Sequence, residues 1–362
     1  MSVSSPPSDV SPAAAAAAAS DAPPFDPILD PPLLASDKFV IGEIENSEAH
    51  DLYKKALSCF WVAESIDMAE DVPNFERLKD SEKNFILTVL AFFAGSDGIV
   101  LENLAGRFYH DVQQAEIRLF YGLQMAIENI HSEVYTDLIK AFVKTKEERR
   151  KLFQSIDGMN AVQKKAAWAE KWIGSDRPFS ERLVAFAAVE GILFSASFCA
   201  IFYFRKRGIR LPGLFQSNEY ISRDEALHCD FATLIHSQLQ PHNQASPETI
   251  LSIVTSAVET EVAFVKEALK HAILGMNAKL MMQYVKFVAD VLLKRLGCEA
   301  HYKVVNPFSF MDTISMGNKT NFFERRVTEY SLAGVGPSSS SDKLIESSDS
   351  LDTGNISFNS DF

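Results

Sequence analysis

Apolar residues recur at intervals of three and four along most of the chain, which is the spacing of one helical face. Proline is absent from residues 74–177, and a stretch of that length without proline favours long helices. Alternating apolar and polar residues, the pattern of β-strands, are nearly missing. The chain is therefore predicted to be an all-α helical bundle. The predicted helices are 48–65, 74–106, 113–143, 159–173, 179–206, 217–237, 247–271 and 277–296, with a shorter one after residue 321.

The most apolar stretch runs from Leu183 to Phe204 and contains one charged residue, Glu190. It reaches the length of about 20 residues that spans a bilayer. A glutamate near the middle of a membrane helix is costly, however, and no other segment of the sequence is comparable. A helix buried inside the bundle is the favoured interpretation, and Glu190 must then be neutralised by a neighbouring group.

Several polar residues interrupt the predicted apolar faces. Asp97 lies in the apolar stripe of the 74–106 helix, and Glu190 lies in the most apolar helix. The stretch "AIENIHSEVY" (126–135) places Glu128, His131 and Tyr135 on one face of a third helix, at i, i+3 and i+7. Each of these residues alone is compatible with an ordinary core or a solvated helix position.

A second Glu-x-x-His pair, Glu225 and His228, occurs in "SRDEALHCDF" (222–231). Four helices thus supply, in order, an acid, a Glu-x-x-His, an acid and a Glu-x-x-His. This is the inward-facing ligand pattern of four-helix di-iron carboxylate proteins. The four acids carry four negative charges when ionised, which two ferrous ions or an oxo-bridged ferric pair would balance. Carboxylates with imidazoles suit iron or manganese better than thiolate-seeking metals.

The charge and composition of the chain argue against some functions and favour one cellular location. The net charge of −13 argues against a binder of nucleic acid or of an anionic membrane surface. The four cysteines show no CxxC pairing, which favours a reducing compartment. Residues 1–37 contain no Lys or Arg, unlike a signal or transit peptide. A cytoplasmic location is therefore predicted.

The two ends of the chain differ in composition from its middle. Residues 1–37 are rich in proline and alanine, which predicts a disordered arm, and residues 334–362 are rich in serine and aspartate, which predicts a flexible tail. The helical domain is predicted to occupy residues 38–333.

With these residues in place, the sequence resembles the small, radical-bearing subunit of class I ribonucleotide reductase of the eukaryotic type. The stretches that carry the resemblance are "FWVAESIDM" (60–68), "AFFAGSDGIVLENL" (91–104), "AIENIHSEVY", "AFAAVEGILFSASF" (185–198), "SNEYISRDEALHCDFA" (217–232), "NPFSFM" (306–311) and "KTNFFERRVTEY" (319–330).

The resemblance implies a ferritin-like bundle with two oxo-bridged iron ions per subunit. One iron would be bound by Asp97, Glu128 and His131, and the other by Glu190, Glu225 and His228, with Glu128 and Glu225 bridging.

The resemblance also implies that Tyr135 is oxidised to a stable tyrosyl radical. Phe194, Phe198 and Ile221 match the apolar lining of the family's radical pocket. The oxidising equivalent would serve a large subunit that converts ribonucleoside diphosphates to deoxyribonucleoside diphosphates, the precursors for DNA synthesis.

The route by which the radical leaves this subunit would, by resemblance, use His131, Asp224 and Trp61. Arg223 matches a residue beside that route, and Tyr330 matches a tyrosine that relays the radical towards the large subunit. An acid hydrogen-bonded to a metal-bound imidazole is a common arrangement around metal ions.

The C-terminal residues resemble the family's docking peptide for the large subunit, with Ile356, Phe358 and Phe362 as the expected apolar anchors. The family implies a homodimer, or a heterodimer with a related small subunit. The sequence departs from the family at Ser65 and Ala226, where Glu and Gly are usual.

Two other functions share part of these features. A di-iron oxygenase or desaturase has similar ligands, but it needs a substrate cavity in place of a phenylalanine-lined radical pocket. A regulatory paralogue of weakened catalytic activity needs no radical tyrosine.

Overall fold

The computed structural model describes residues 43–173, 176–268 and 277–311, apart from the side chains of Asp97, Ile99, Glu102, Asn103 and Ala105. Within these ranges the chain is mainly helical and contains no β-strand, which confirms the predicted all-α class. The predicted arm, the short helix after residue 321 and the predicted tail lie outside the described residues.

The longer helices are joined by short connections. They are α1 (Ser47–Ser58), α2 (Asp71–Glu76), α3 (Asp80–Asn103), α4 (Ala115–Phe142), α5 (Lys146–Asp157), α6 (Asn160–Trp172), α7 (Phe179–Ala188), α8 (Ser195–Lys206), α9 (Pro212–Gln238), α10 (Pro247–Ala268) and α11 (Ala278–Arg295). The shorter pieces are the turns Ala63–Ser65, Tyr109–Asp111 and Ser309–Met311, and the π-helical segments Leu104–Phe108 and Val189–Leu193.

Most of the residues singled out by the sequence lie on α3, α4 and α9 and on the π-helical segment that follows α7, and these elements pack together. Helix α3 packs along α4, α4 contacts α9, and α9 packs along α7. Helix α10 covers α6, α7 and α11 on the other side. The polar residues of α4, α9 and the π-helical segment Val189–Leu193 are consequently enclosed by helices.

The start of α9 is fixed by a buried acid of α2. The carboxylate of Asp71 accepts hydrogen bonds from the amides of Gly213 and Leu214 at 2.9 and 2.8 Å. A Cβ at Gly213 would lie 2.6 Å from the carbonyl oxygen of Asp67, so only glycine allows this approach. Because the first amides of a helix have no partner within it, Asp71 both satisfies them and holds α9 against the preceding segment.

Two of the predicted helices are divided in the structure. The predicted helix 74–106 begins instead as two helices, α2 and α3, and ends in a π-helical segment. The predicted helix 179–206 is divided by the second π-helical segment, Val189–Leu193. Apolar spacing does not reveal a π turn, because one added residue leaves the apolar composition unchanged.

Helix α5 was missed by the prediction. Its sequence, "KEERRKLFQSID", buries only Ile156, so it lacks a broad apolar stripe. Its start is marked instead by a capping box in which the Thr145 hydroxyl accepts from the amide of Glu148 at 3.2 Å. The Thr-x-x-Glu spacing was the available signal.

The segment Phe179–Lys206 is long and apolar enough to cross a membrane by length and composition, yet 94% of its most apolar window is buried inside the protein. This burial agrees with the predicted core helix. Helix α7 supplies fully buried residues such as Leu183.

Replacing Leu183, which has no exposed surface, with alanine is expected to lower the free energy of unfolding by about 2–5 kcal/mol, through lost apolar burial and the cavity left behind. Urea unfolding followed by circular dichroism measures the change. Leu280→Ala is the matched control, since Leu280 is 37% exposed; equal losses in the two variants would contradict the buried role of α7.

Candidate metal centre

The two Glu-x-x-His pairs face each other across the α4–α9 contact. Glu128 and His131 lie one turn apart on α4, and Glu225 and His228 lie one turn apart on α9. All four side chains are buried, with at most 3% of their surface exposed. The i, i+3 spacing therefore brings two acids and two imidazoles into one enclosed space.

Glu190 joins this cluster from the π-helical segment Val189–Leu193. Its Oε1 accepts a hydrogen bond of 2.9 Å from the side-chain amide of Gln124, which lies one turn before Glu128 on α4. Gln124 was not among the residues predicted from the sequence. Its position at i−4 from Glu128, on the same helical face, was the signal available in the sequence.

The five side chains converge within short distances. His228 Nδ1 lies 3.1 Å from Glu128 Oε1 and 3.2 Å from Glu190 Oε2. His131 Nδ1 lies 3.3 Å from both Glu128 Oε2 and Glu225 Oε1. Ligand-type atoms of Glu128, Glu190, Glu225 and His228 all lie within 4.8 Å of one another. These distances leave Glu128 and Glu225 between the two imidazoles.

The cluster has the donor set of a divalent metal site. Six of its buried atoms have no hydrogen-bond partner among the described residues: Glu128 Oε1 and Oε2, His131 Nδ1, Glu190 Oε2, Glu225 Oε2 and His228 Nδ1. Buried polar atoms without partners are costly, and a cation bound among them would satisfy several at once. Carboxylate oxygens with imidazole nitrogens fit iron or manganese.

Electrostatics lead to the same conclusion. Burial raises the pKa of Glu190 well above its usual range, and the nearby carboxylates of Glu225 and Glu128 add to this rise although His228 opposes it. A cation at the centre of the cluster favours the ionised form of every acid around it.

The sixth predicted ligand, Asp97, is placed only in part. Its backbone belongs to α3, which packs along α4, but its side chain lies outside the described residues. The ligand roles of all six residues remain predictions. The structure brings five of the six side chains together.

Asp224 links the cluster to Trp61. Its Oδ2 accepts a hydrogen bond of 2.7 Å from the Trp61 indole nitrogen and lies 3.3 Å from His131 Nε2. The Trp61 and His131 rings stack with centroids 6.0 Å apart. His131 therefore directs Nδ1 into the cluster and Nε2 towards the carboxylate, the orientation expected of a metal-bound imidazole.

Arg223 completes this link. Its Nε donates to Asp224 Oδ1 at 2.8 Å, and its guanidinium also donates to the carbonyl of Cys59 at 2.8 Å. Burial opposes ionisation of Asp224, but Arg223, His131 and Trp61 together outweigh it and lower its pKa to about 2. Asp224 is consequently a carboxylate at neutral pH, able to accept from both rings.

Trp61 lies just below the surface. Only 2% of its surface is exposed, whereas its neighbours Phe60 and Val62 are 38% and 42% exposed. Its ring also packs against Tyr220, with centroids 5.3 Å apart. The hydrogen-bonded link from the cluster thus ends within one residue of solvent-exposed apolar side chains.

Tyr135 lies one turn beyond His131 on α4, among aromatic rings. It stacks on Phe93 with centroids 4.9 Å apart and planes within 14°. Phe93 in turn contacts Phe198 at 4.9 Å and Phe194 at 5.6 Å. Phe93 was not predicted as part of this pocket, although its position one turn before Asp97 on α3 was a signal.

Ile221, the remaining predicted pocket residue, is fully buried one turn before Glu225 on α9. Two further predicted sets, Tyr330 and the tail anchors Ile356, Phe358 and Phe362, lie outside the described residues.

Known proteins share both the sequence and the fold. Residues 38–307 match the family described as "Ribonucleotide reductase, small chain". The ribonucleoside-diphosphate reductase small chain of Nicotiana tabacum is 53% identical over 310 residues, covering 85% of this chain and 93% of that protein. The corresponding small chain of Trypanosoma brucei brucei is 50% identical and covers 88% and 94%.

A solved structure, the ribonucleotide reductase Rnr4 homodimer from Saccharomyces cerevisiae, matches with a TM-score of 0.71 and 37% identity, covering 82% of this chain and 90% of that chain. The likeness confirms the ferritin-like fold that the resemblance implied. From the matched length, the identity and the shared fold it follows that this chain belongs to the ribonucleotide reductase small-chain family.

Proposed function

We propose that this chain generates and stores the radical of a class I ribonucleotide reductase and passes it to a large subunit. Small subunits of this family support the reduction of ribonucleoside diphosphates, act with a large subunit and form homodimers. The buried cluster connected to Trp61 through Asp224 carries the proposal, because an oxygenase or a storage protein has no need of that connection.

The proposed ligands divide between two iron ions. Asp97, Glu128 and His131 would hold one ion, and Glu190, Glu225 and His228 the other, with Glu128 and Glu225 shared. The positions of Glu128 and Glu225 between the two imidazoles support the sharing. When bound, the iron pair supplies the oxidising power, drawn from dioxygen, that removes one electron from a nearby phenol.

Tyr135 is the proposed phenol. The rings of Phe93, Phe194 and Phe198 exclude water and diffusible reductants from its surroundings. Only 3% of the Tyr135 side chain is exposed. A phenoxyl radical in such a pocket would persist, because the burial keeps diffusible reductants away from the ring.

Asp224 is proposed to keep the transfer route in one geometry. Its Oδ2 holds the Trp61 N–H and the His131 ring on the same oxygen, while Arg223 keeps the carboxylate ionised. When Trp61 transiently gives an electron to the oxidised Tyr135, its indole proton becomes more acidic, and the hydrogen bond to Asp224 gives that proton an acceptor. The outer relay residue proposed from the resemblance is Tyr330.

A cytoplasmic location is also proposed. All four cysteines are free thiols, which supports a reducing compartment.

The assignment of Tyr135 is tested by electron paramagnetic resonance after the protein is loaded with Fe(II) and exposed to O2. Wild-type protein is expected to show a tyrosyl signal, and Tyr135→Phe is expected to show none while binding the same amount of iron, since the phenylalanine ring keeps the packing against Phe93. Tyr302→Phe is the control. A signal that survives in Tyr135→Phe excludes this tyrosine as the radical site.

The transfer route is tested with Asp224→Asn, which keeps the side-chain volume but removes the negative charge. The tyrosyl signal should still form, whereas reductase activity with the large subunit should fall roughly 100-fold or more, as for loss of a positioned proton acceptor. Trp61→Phe is expected to behave in the same way: the tyrosyl signal forms, and reductase activity with the large subunit falls.

Trp168→Phe is the matched control, because it removes an indole hydrogen bond, that to Ser256, on another part of the bundle. Full reductase activity in Asp224→Asn would rule out the proposed route.

Docking through the C-terminus is tested with the double variant Phe358→Ala/Phe362→Ala. Because the apolar anchors supply the specificity of such a segment, the concentration of large subunit needed for half-maximal activity should rise at least about tenfold. Asn359→Ala/Ser360→Ala is the control within the same segment. Unchanged activation of the aromatic double variant would contradict docking by the tail.

A further inference from the structure

The helix that supplies Glu190 breaks shortly after that residue. The π-helical segment ends at Leu193 and α8 begins at Ser195. At the break, the carbonyl of Ile192 accepts from the amide of Phe194 and from the Ser195 hydroxyl, the latter at 2.7 Å. The regular ladder resumes when the amide of Phe198 donates to the carbonyl of Phe194 at 3.1 Å. Backbone groups between these points need partners from outside the helix.

Two side chains from other helices supply those partners. Lys165 on α6 donates from Nζ to the carbonyl of Leu193 at 2.6 Å. Glu261 on α10 accepts from the amide of Ala196 on its Oε1 at 3.2 Å. The two side chains are themselves paired, with Lys165 Nζ 2.5 Å from Glu261 Oε2. One ion pair therefore satisfies a carbonyl on one side of the break and an amide on the other.

This pair is deeply buried. Lys165 is 3% exposed and Glu261 is not exposed at all. The ammonium group also lies over the rings of Phe92 and Phe264, at 4.0 and 3.7 Å from their centroids. Burial lowers the pKa of Lys165 to about 8, although Glu261 opposes the shift. A buried ion pair contributes little net stability compared with apolar residues of the same size, so its presence calls for another role.

The break controls two parts of the candidate centre. Glu190 precedes Leu193 by three residues, and Phe194, which contacts Phe93 beside Tyr135, directly follows it. The number of residues in the wide turn decides which side chains face the cluster and which face the aromatic pocket, because one residue more or less rotates the following helix by about 100°.

We propose that the Lys165–Glu261 pair is a positioning device that holds the π-helical break, so that Glu190 faces the metal cluster while Phe194 faces the pocket of Tyr135. The proposal rests on the proposed function in so far as Glu190 is taken as a ligand. Neither Lys165 nor Glu261 is itself a ligand of the cluster; both act through the backbone at Leu193 and Ala196.

The decisive variant is Lys165→Met/Glu261→Met in the full chain. Replacement of both charges by apolar side chains of similar length keeps the core filled, so the thermal unfolding temperature is expected to equal or exceed that of wild type. A role in stability alone then predicts unchanged metal binding. A positioning role predicts a stable protein whose anaerobic Fe(II) affinity at the weaker site falls about 10- to 100-fold, as for other residues that orient metal ligands.

A second measurement needs no metal. Hydrogen exchange of the Ala196 amide in metal-free protein should be at least about tenfold faster in the double variant than in wild type, because its acceptor is gone. Lys164→Met and Glu259→Gln are matched controls, since both residues are exposed neighbours of the pair, and both should match wild type in exchange and in Fe(II) affinity.

A stable double variant with wild-type Fe(II) affinity or wild-type Ala196 exchange overturns the proposal. If the double variant does not fold, Glu261→Gln replaces it: the neutral amide keeps an acceptor for Ala196 but loses the charge that holds Lys165. The Fe(II) affinity then decides, with a loss expected and a wild-type value overturning the proposal. Absence of Fe(II) binding in wild type would refute the proposed function, while the exchange of Ala196 would still decide whether the pair holds the break.

Discussion

The burial of several carboxylates in one place is the constraint on which the rest of this structure depends. Glu128, Glu190 and Glu225 are each at most 3% exposed and lie around two buried imidazoles. Like charges in a medium of low polarity repel one another strongly, so the acids stay ionised together only with compensating positive charge between them. Helices α4 and α9 and the π-helical segment Val189–Leu193 carry these acids, and a bound pair of divalent cations would supply the compensating charge.

Asp224 shows how the same environment gives a different result when the compensation comes from the protein. Its pKa is lowered, whereas that of Glu190 is raised, although both are fully buried. The difference is Arg223, whose guanidinium lies against the Asp224 carboxylate. Asp224 is thereby ionised as an acceptor for Trp61 and His131 without any bound ion.

Irregular helix geometry is the second requirement of the centre. A continuous α-helix through residues 179–206 would present Glu190 and Phe194 on one face, one turn apart, with every backbone group satisfied internally. The π-helical segment changes this register and leaves Leu193 and Ala196 to be satisfied by Lys165 and Glu261. The break thus needs a buried ion pair drawn from two other helices.

The sequence by itself determined the helical class and most of the helices. It also paired Glu128 with His131 and Glu225 with His228, because helical spacing alone puts each pair on one face. It also marked Tyr135, since the phenol lies on the same face. The capping box at Thr145 would have revealed α5, whose polar surface hid it from the apolar pattern.

Only the tertiary structure decided which side chains from distant segments meet. Gln124 donates a hydrogen bond to Glu190, and Phe93 stacks on Tyr135. Lys165 pairs with Glu261, although the two residues are 96 positions apart in the chain. The π-helical segment Val189–Leu193 could likewise not be predicted from the sequence. The backbone groups that follow it are satisfied by side chains of other helices. Local spacing fixes one face of one helix, whereas the satisfaction of a buried backbone group or charge is decided by whatever packs against it.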